Sequence, residues 1–174
     1  MKDSLLLVDV VTDFRHEDGD ALLASFRERH SALKQAISDA RERELPVVYA
    51  NDNFGAWDGD ARRLIDEAAN GGAGDLVAEI APREGDRFVV KPRYSAFDHT
   101  PLVLLLRELE IERILLAGAA TEMCVVQTAI DAREEGFKVS ILADACATTD
   151  PEIEALALRY AEEIVGARVE RAGH

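Results

Sequence analysis

The stretch LAGAATEMCVVQTAIDA, residues 116–132, decides how the chain is read. Its first half completes an apolar run, RILLAGAA (113–120), that reads as a strand. Its second half repeats small and apolar residues at helical spacing until Gly136, a helix-stopping residue. A buried strand therefore turns into a helix here, with a thiol, Cys124, in the first helical turn.

Working outward, the same alternation recurs along the chain. SLLLVDVV (4–11), LPVVYAND (45–52), RFVVKP (87–92) and KVSILADAC (138–146) read as strands, and ARVERA (167–172) as an edge strand. Between them, residues 20–43, 100–110, 121–136 and 151–163 carry helical spacing. Thr100 is placed to cap the second of these, with Pro101 at its first position, and Asp150-Pro151 starts the last. Residues 53–74 are polar and Gly-rich, with a weak helical signal only at 61–69. Strands alternating with helices predict parallel βαβ units with right-handed crossovers. The expectation is an α/β three-layer sandwich with a mostly parallel six-stranded sheet, residues 1–174 forming a single domain.

A formal net charge of −14 argues against nucleic acid or an anionic membrane as partner, since both would repel the surface. No stretch is long and apolar enough to span a bilayer. The opening MKDSLLLVDVVTDF lacks the shape of a signal peptide, so the expected location is cytoplasmic. Two cysteines, Cys124 and Cys146, do not make a disulfide framework.

In parallel sheets, ligands bind beyond the carboxyl ends of the strands. Asp9, Asp52, Lys91, Cys124 and Asp144 fall at or just after those ends. Each has a plain structural reading: Asp9 as a turn cap, Lys91 reaching for water, Cys124 as a small apolar filler. Asp144 is read as bonding backbone in the loop before the last helix, and Cys146 as core. Acid, ammonium and thiol at one edge nevertheless form a chemical set. A helix N-terminus and a lysine favour a thiolate, and a carboxylate can carry its proton.

The chain resembles the isochorismatase-like cysteine hydrolases, which include nicotinamidases and N-carbamoylsarcosine amidohydrolases. The resemblance spans essentially the full length and rests on LLLVDVVTDF, VVYANDNFGAW, VVKPRYSAF, LAGAATEMCVVQTAIDA and GFKVSILADACAT. It implies the isochorismatase-like fold with Rossmann-like strand order. It implies Asp9, Lys91 and Cys124 as catalytic residues, and a cis peptide between Ala119 and Ala120 that lets the Ala120 and Cys124 N–H groups form an oxyanion hole. The implied reaction is hydrolysis of a C–N bond in a small amide, ureide or carbamoyl substrate through a thioester. A homo-oligomer, dimer or tetramer, is implied by analogy alone.

The chain departs from the family pattern at two places. Val11 stands where many members have Gln, and Asp52-Asn53-Phe54 replaces an Asp-x-His metal stretch. The histidines His16, His30, His99 and His174 form no evident metal pair. No metal and no cofactor are therefore expected, and Asp52 is read as fixing its own loop. Phe14, Trp57, Tyr94 and Phe97 are the candidate substrate-binding residues, with core packing the alternative for Phe14 and Phe97; Phe54 and Arg93 are further possibilities on the same loops. The competing functions are a metal-dependent nicotinamidase-like amidase and a non-catalytic binding or redox module built on the thiol.

Overall fold

The computed structural model describes residues 1–173; His174 lies outside them. Six strands form one sheet: β1 (Asp3–Val8), β2 (Val47–Asp52), β3 (Arg87–Lys91), β4 (Arg113–Ala119), β5 (Lys138–Ala147) and β6 (Arg168–Glu170). Their order is β3-β2-β1-β4-β5-β6, and every neighbouring pair is parallel. The sheet is thus wholly parallel, including its short edge strand β6.

β1 shows why the fold needs two covering layers. Its six residues are all buried, with Leu5 and Leu7 in one apolar cluster and Leu6 and Val8 in the other. Burying one such leucine contributes about 1.5–3 kcal/mol, so a single covering layer would forfeit half the gain. α1 (Gly19–Glu42), α2 (Ala61–Ala69) and α3 (Gly74–Ile80) cover the first face. α4 (Leu102–Glu108) and α5 (Val126–Glu134) cover the second, and α6 (Pro151–Tyr160) packs on the turn that precedes α5, with Ala157 and Leu158 against the same cluster. α3 falls within a region that the sequence reading left without structure. Seven residues show too little periodicity to register, yet Val77 and Ile80 are fully committed to the core.

The strand order reverses between β1 and β4, which opens a crevice at their carboxyl ends. Gly118 permits this close pairing. Its φ is +132°, and a Cβ there would lie 2.0 Å from the Val8 carbonyl oxygen. Register between β4 and β5 then jumps from Leu116↔Ile141 to Gly118↔Cys146, so β5 bulges across residues 142–145.

Candidate active site

Three side chains meet at the reversal point. Asp9 follows β1 with a left-handed φ of 51°, a conformation that Asp tolerates better than most residues. Its N–H bonds the Ala50 carbonyl at 3.0 Å, and its Oδ1 accepts the Asp52 N–H at 2.7 Å. Asn51, which the sequence reading passed over, is fully buried and clamps the adjoining loop. Its Oδ1 accepts from Val11 N at 3.0 Å and its Nδ2 donates to Val11 O at 2.8 Å.

Lys91 ends β3 and has no solvent exposure at all. Its Nζ lies 2.8 Å from Asp9 Oδ2, 2.9 Å from the Arg93 carbonyl oxygen and 3.7 Å from Cys124 Sγ. An ammonium has three protons, and these partners use all three. Asp52 Oδ2 stands farther off at 3.8 Å, while Asp52 Oδ1 accepts from Phe54 N at 2.6 Å. Asp52 therefore both shapes its loop and adds negative charge beside Lys91.

Cys124 sits on a π-helical turn, Thr121–Val125, that leads into α5. Such turns recur at functional sites. The Ala119–Ala120 peptide just before it is cis. The Ala120 carbonyl oxygen takes the N–H groups of Met123 and Val125, at 3.1 and 3.2 Å.

The electrostatics differ from the expectation of a ready-made thiolate. Burial, then the charge of Asp9, pushes the Cys124 thiol up to about 12, against the weaker pull of Lys91. Burial likewise raises Asp9, although Lys91 opposes it. Burial also works against the Lys91 charge, but the anions around it outweigh this and hold its pKa above the usual lysine range. Burial and the Asp9 charge thus favour the protonated thiol, while the anions around Lys91 favour its ammonium form. The rule that a helix start acidifies a cysteine is overridden here by dehydration and a neighbouring anion.

The aromatic candidates separate into two kinds. Phe14 is buried, its ring 5.1 Å from Phe26 in an edge contact, and Phe97 packs 6.0 Å from Phe137. Phe14 is committed to packing, whereas Phe97 is only partly buried. Trp57 and Tyr94 are 83% and 55% exposed. Tyr94 lines a polar groove with Arg93, Phe97, Gln127 and Asp131, which Cys124 does not line. Phe54 is half exposed, over a small recess formed with Asp13, Arg15 and Leu64.

Among the described residues, no group of three or more His, Cys, Asp or Glu side chains is placed to hold a metal. The donor chemistry near Asp52 also fits a metal poorly. Asn53 is buried with its Oδ1 accepting the Gly55 N–H, and residue 54 is an aromatic. Asp144 turns out of the site: its Oδ1 accepts the Ala172 N–H at 2.7 Å, beyond β6 and not in the loop before α6. Cys146 is core, its thiol also pushed up to about 12 by burial.

A doubly covered parallel sheet with acid, ammonium and thiol at its reversal point defines a class of hydrolase, and comparison with known proteins gives the family. The isochorismatase domain model matches residues 3–172. The chain is 32% identical to the isochorismatase family protein YaaI of Bacillus subtilis, covering 95% of this chain and 92% of that one. Among solved structures it superposes on the nicotinamidase PncA from Bacillus subtilis with a TM-score of 0.78 and 30% identity, covering 98% of this chain and all of the other. It also superposes on N-carbamoylsarcosine amidase from Thermoplasma acidophilum, with a TM-score of 0.77, 29% identity and coverage of 100% and 98%. The chain belongs to the isochorismatase family.

Proposed function

We propose that this family member is a cysteine amidohydrolase that cleaves a C–N bond of a small amide, ureide or carbamoyl compound through a thioester on Cys124. The observation that carries the reading is the placement of one fully buried ammonium, Lys91, 2.8 Å from Asp9 and 3.7 Å from Cys124. Because the thiol is lifted to about 12, it gives up its proton only as bond formation proceeds, and Asp9, raised from its ordinary value, is the better acceptor for it. Sγ attacks the carbonyl carbon while its proton passes to Asp9. The N–H groups of Ala120 and Cys124 hold the oxyanion. Collapse breaks the C–N bond, and the proton on Asp9 leaves with the amine. Asp9 then takes a proton from water as the hydroxide attacks the thioester, and the carboxylic product departs as the thiol is restored. Lys91 keeps the changing negative charge near it at every step.

The amidases similar in structure support this substrate class. With Phe14 held in the core and Phe97 partly buried against Phe137, Phe54, Trp57 and Tyr94 are the more exposed aromatics available to a flat substrate. Self-association, as a dimer or tetramer, belongs to the same reading. α6 and the turn after it present Ile153, Leu156, Tyr160 and Ile164 outward, each about half exposed or more. Cytoplasmic residence accords with two free buried thiols. A redox-sensing role is disfavoured, because sensor thiols are exposed and acidic whereas this one is neither.

The test is an ammonia-release screen across amides, ureides and carbamoyl compounds, repeated with Cys124→Ala. The reading expects turnover of at least one compound by the native protein and none by the variant at unchanged secondary structure. Equal ammonia release from both proteins would remove Cys124 from its role.

A further inference from the structure

Behind the Cys124 turn lies a polar network that the proposed chemistry does not use. Glu154 is on the inward face of α6, 6% exposed. It receives a two-pronged pair of hydrogen bonds from Arg29 of α1, one of them 2.7 Å from Nη2 to Oε2. Arg29 also donates to the carbonyl oxygens of Ala143 and Cys146, within and just past the bulge of β5. The remaining bond to Glu154 comes from Thr121: its Oγ1 lies 2.7 Å from Oε1 of Glu154 and 3.1 Å from the Ala147 carbonyl oxygen. Thr121 has no solvent exposure and directly follows Ala120.

A neighbouring set reinforces the same turn. Glu122 accepts from the Thr149 hydroxyl at 2.6 Å, the Thr149 N–H at 2.9 Å and the Thr148 hydroxyl at 2.7 Å. Thr148 N–H in turn donates to Ser25 of α1 at 3.0 Å. A buried carboxylate this costly to dehydrate is retained only where its bonds are fully met, and a single Arg fork would already meet most of them. Reaching to Thr121 adds a specific consequence: it ties the residue after Ala120 to two helices and a strand.

We propose that Arg29, Glu154 and Thr121 are positioning residues that hold the Ala120–Cys124 turn so that its N–H groups face the reacting carbonyl oxygen. The inference rests on the hydrolase reading of that turn. None of the three touches substrate; they act through the backbone between Ala120 and Cys124. Displacing an oxyanion donor by about 1 Å costs on the order of a hundredfold in rate.

Thr121→Val removes the hydroxyl at nearly constant shape, and Thr121→Ser keeps it. With an amide from the ammonia-release screen, Thr121→Val is expected to lower kcat about tenfold to a hundredfold with KM within twofold, and Thr121→Ser to stay within threefold of the native enzyme. Glu154→Gln should fall between them. Asp3→Asn, which weakens a buried ion pair at the far end of β1, serves as the stability control and should leave kcat unchanged even where its unfolding midpoint falls as far. A Thr121→Val enzyme within twofold of native kcat, a Thr121→Ser enzyme as impaired as Thr121→Val, or an Asp3→Asn enzyme losing kcat in step with its stability would overturn the proposal. Should no amide be turned over, alkylation of Cys124 by iodoacetamide at fixed pH still decides it. Thr121→Val should change that rate at least threefold and Asp3→Asn should not; equal rates in all proteins would count against the positioning role.

Discussion

The two ends of β1 carry the same kinds of group and use them differently. At the amino end, Asp3 is 5% exposed and takes two bonds from Arg113, at 2.6 and 3.1 Å, plus one from Arg43 at 3.3 Å. At the carboxyl end, Asp9 meets Lys91 at 2.8 Å and a backbone N–H at 2.7 Å, with Cys124 next to the same ammonium. An arginine fork fixes a carboxylate in place and never yields a proton. A lysine is a point charge that leaves part of the carboxylate free, and here the free part faces a thiol. One end closes the sheet; at the other, the proposed mechanism needs a proton to move.

Breaking the second end should cost chemistry. Cys124→Ala is expected to lower ammonia release by at least about 10⁴-fold, the scale for losing a nucleophile that works with its base. Asp9→Asn should lower turnover by about 10²–10⁴-fold. The same change should accelerate alkylation of Cys124 at pH 8, because the Asp9 charge is, after burial, the chief cause of the raised thiol. Slower alkylation in Asp9→Asn would contradict the electrostatic account.

Breaking the first end should cost stability and leave the chemistry alone. Asp3→Asn leaves Arg113 short of its carboxylate, with an expected loss of about 2 kcal/mol in urea unfolding, reduced from a fully buried pair because both arginines reach solvent. The fold also responds to pH. Both thiols are raised to about 12 in the folded chain and ionise nearer 9 once unfolded. Their contribution is therefore complete below about pH 9 and declines as pH rises toward 12, because the unfolded chain releases the protons first. Denaturation between pH 8 and 11 should show that downward slope, diminished in Cys146→Ala. Dialysis against a chelator is expected to leave turnover within experimental error, since Phe54 and the occupied Asn53 amide leave Asp52 without companions for a metal among the described residues.

The strands were legible because a doubly covered parallel strand is apolar on both faces, as Leu5, Leu6, Leu7 and Val8 are. The convergence of Asp9, Lys91 and Cys124 was legible from topology, since ligand-facing groups lie at carboxyl ends. Other features depended on tertiary context. α3 is too short for its period to stand out beside Gly72 and Gly74. Phe14 and Phe97 lie on loops near the site, but only packing against Phe26 and Phe137 decides which way the rings turn. The thiol's raised pKa needed the sum of burial and the Asp9 charge, neither of which a local motif weighs. Asn51 and Glu154 were missed for the same reason. A buried polar side chain announces itself only by partners distant in sequence, such as Val11 and Arg29.

The most direct measurement is acid quenching of the enzyme during turnover, followed by mass spectrometry of the peptide that contains Cys124. An acyl adduct on that sulfur, absent from Cys124→Ala and depleted when turnover is allowed to finish, is the predicted result. Steady ammonia release with the Cys124 peptide unmodified at every quench time, and with Cys124→Ala as fast as the native enzyme, would contradict the account.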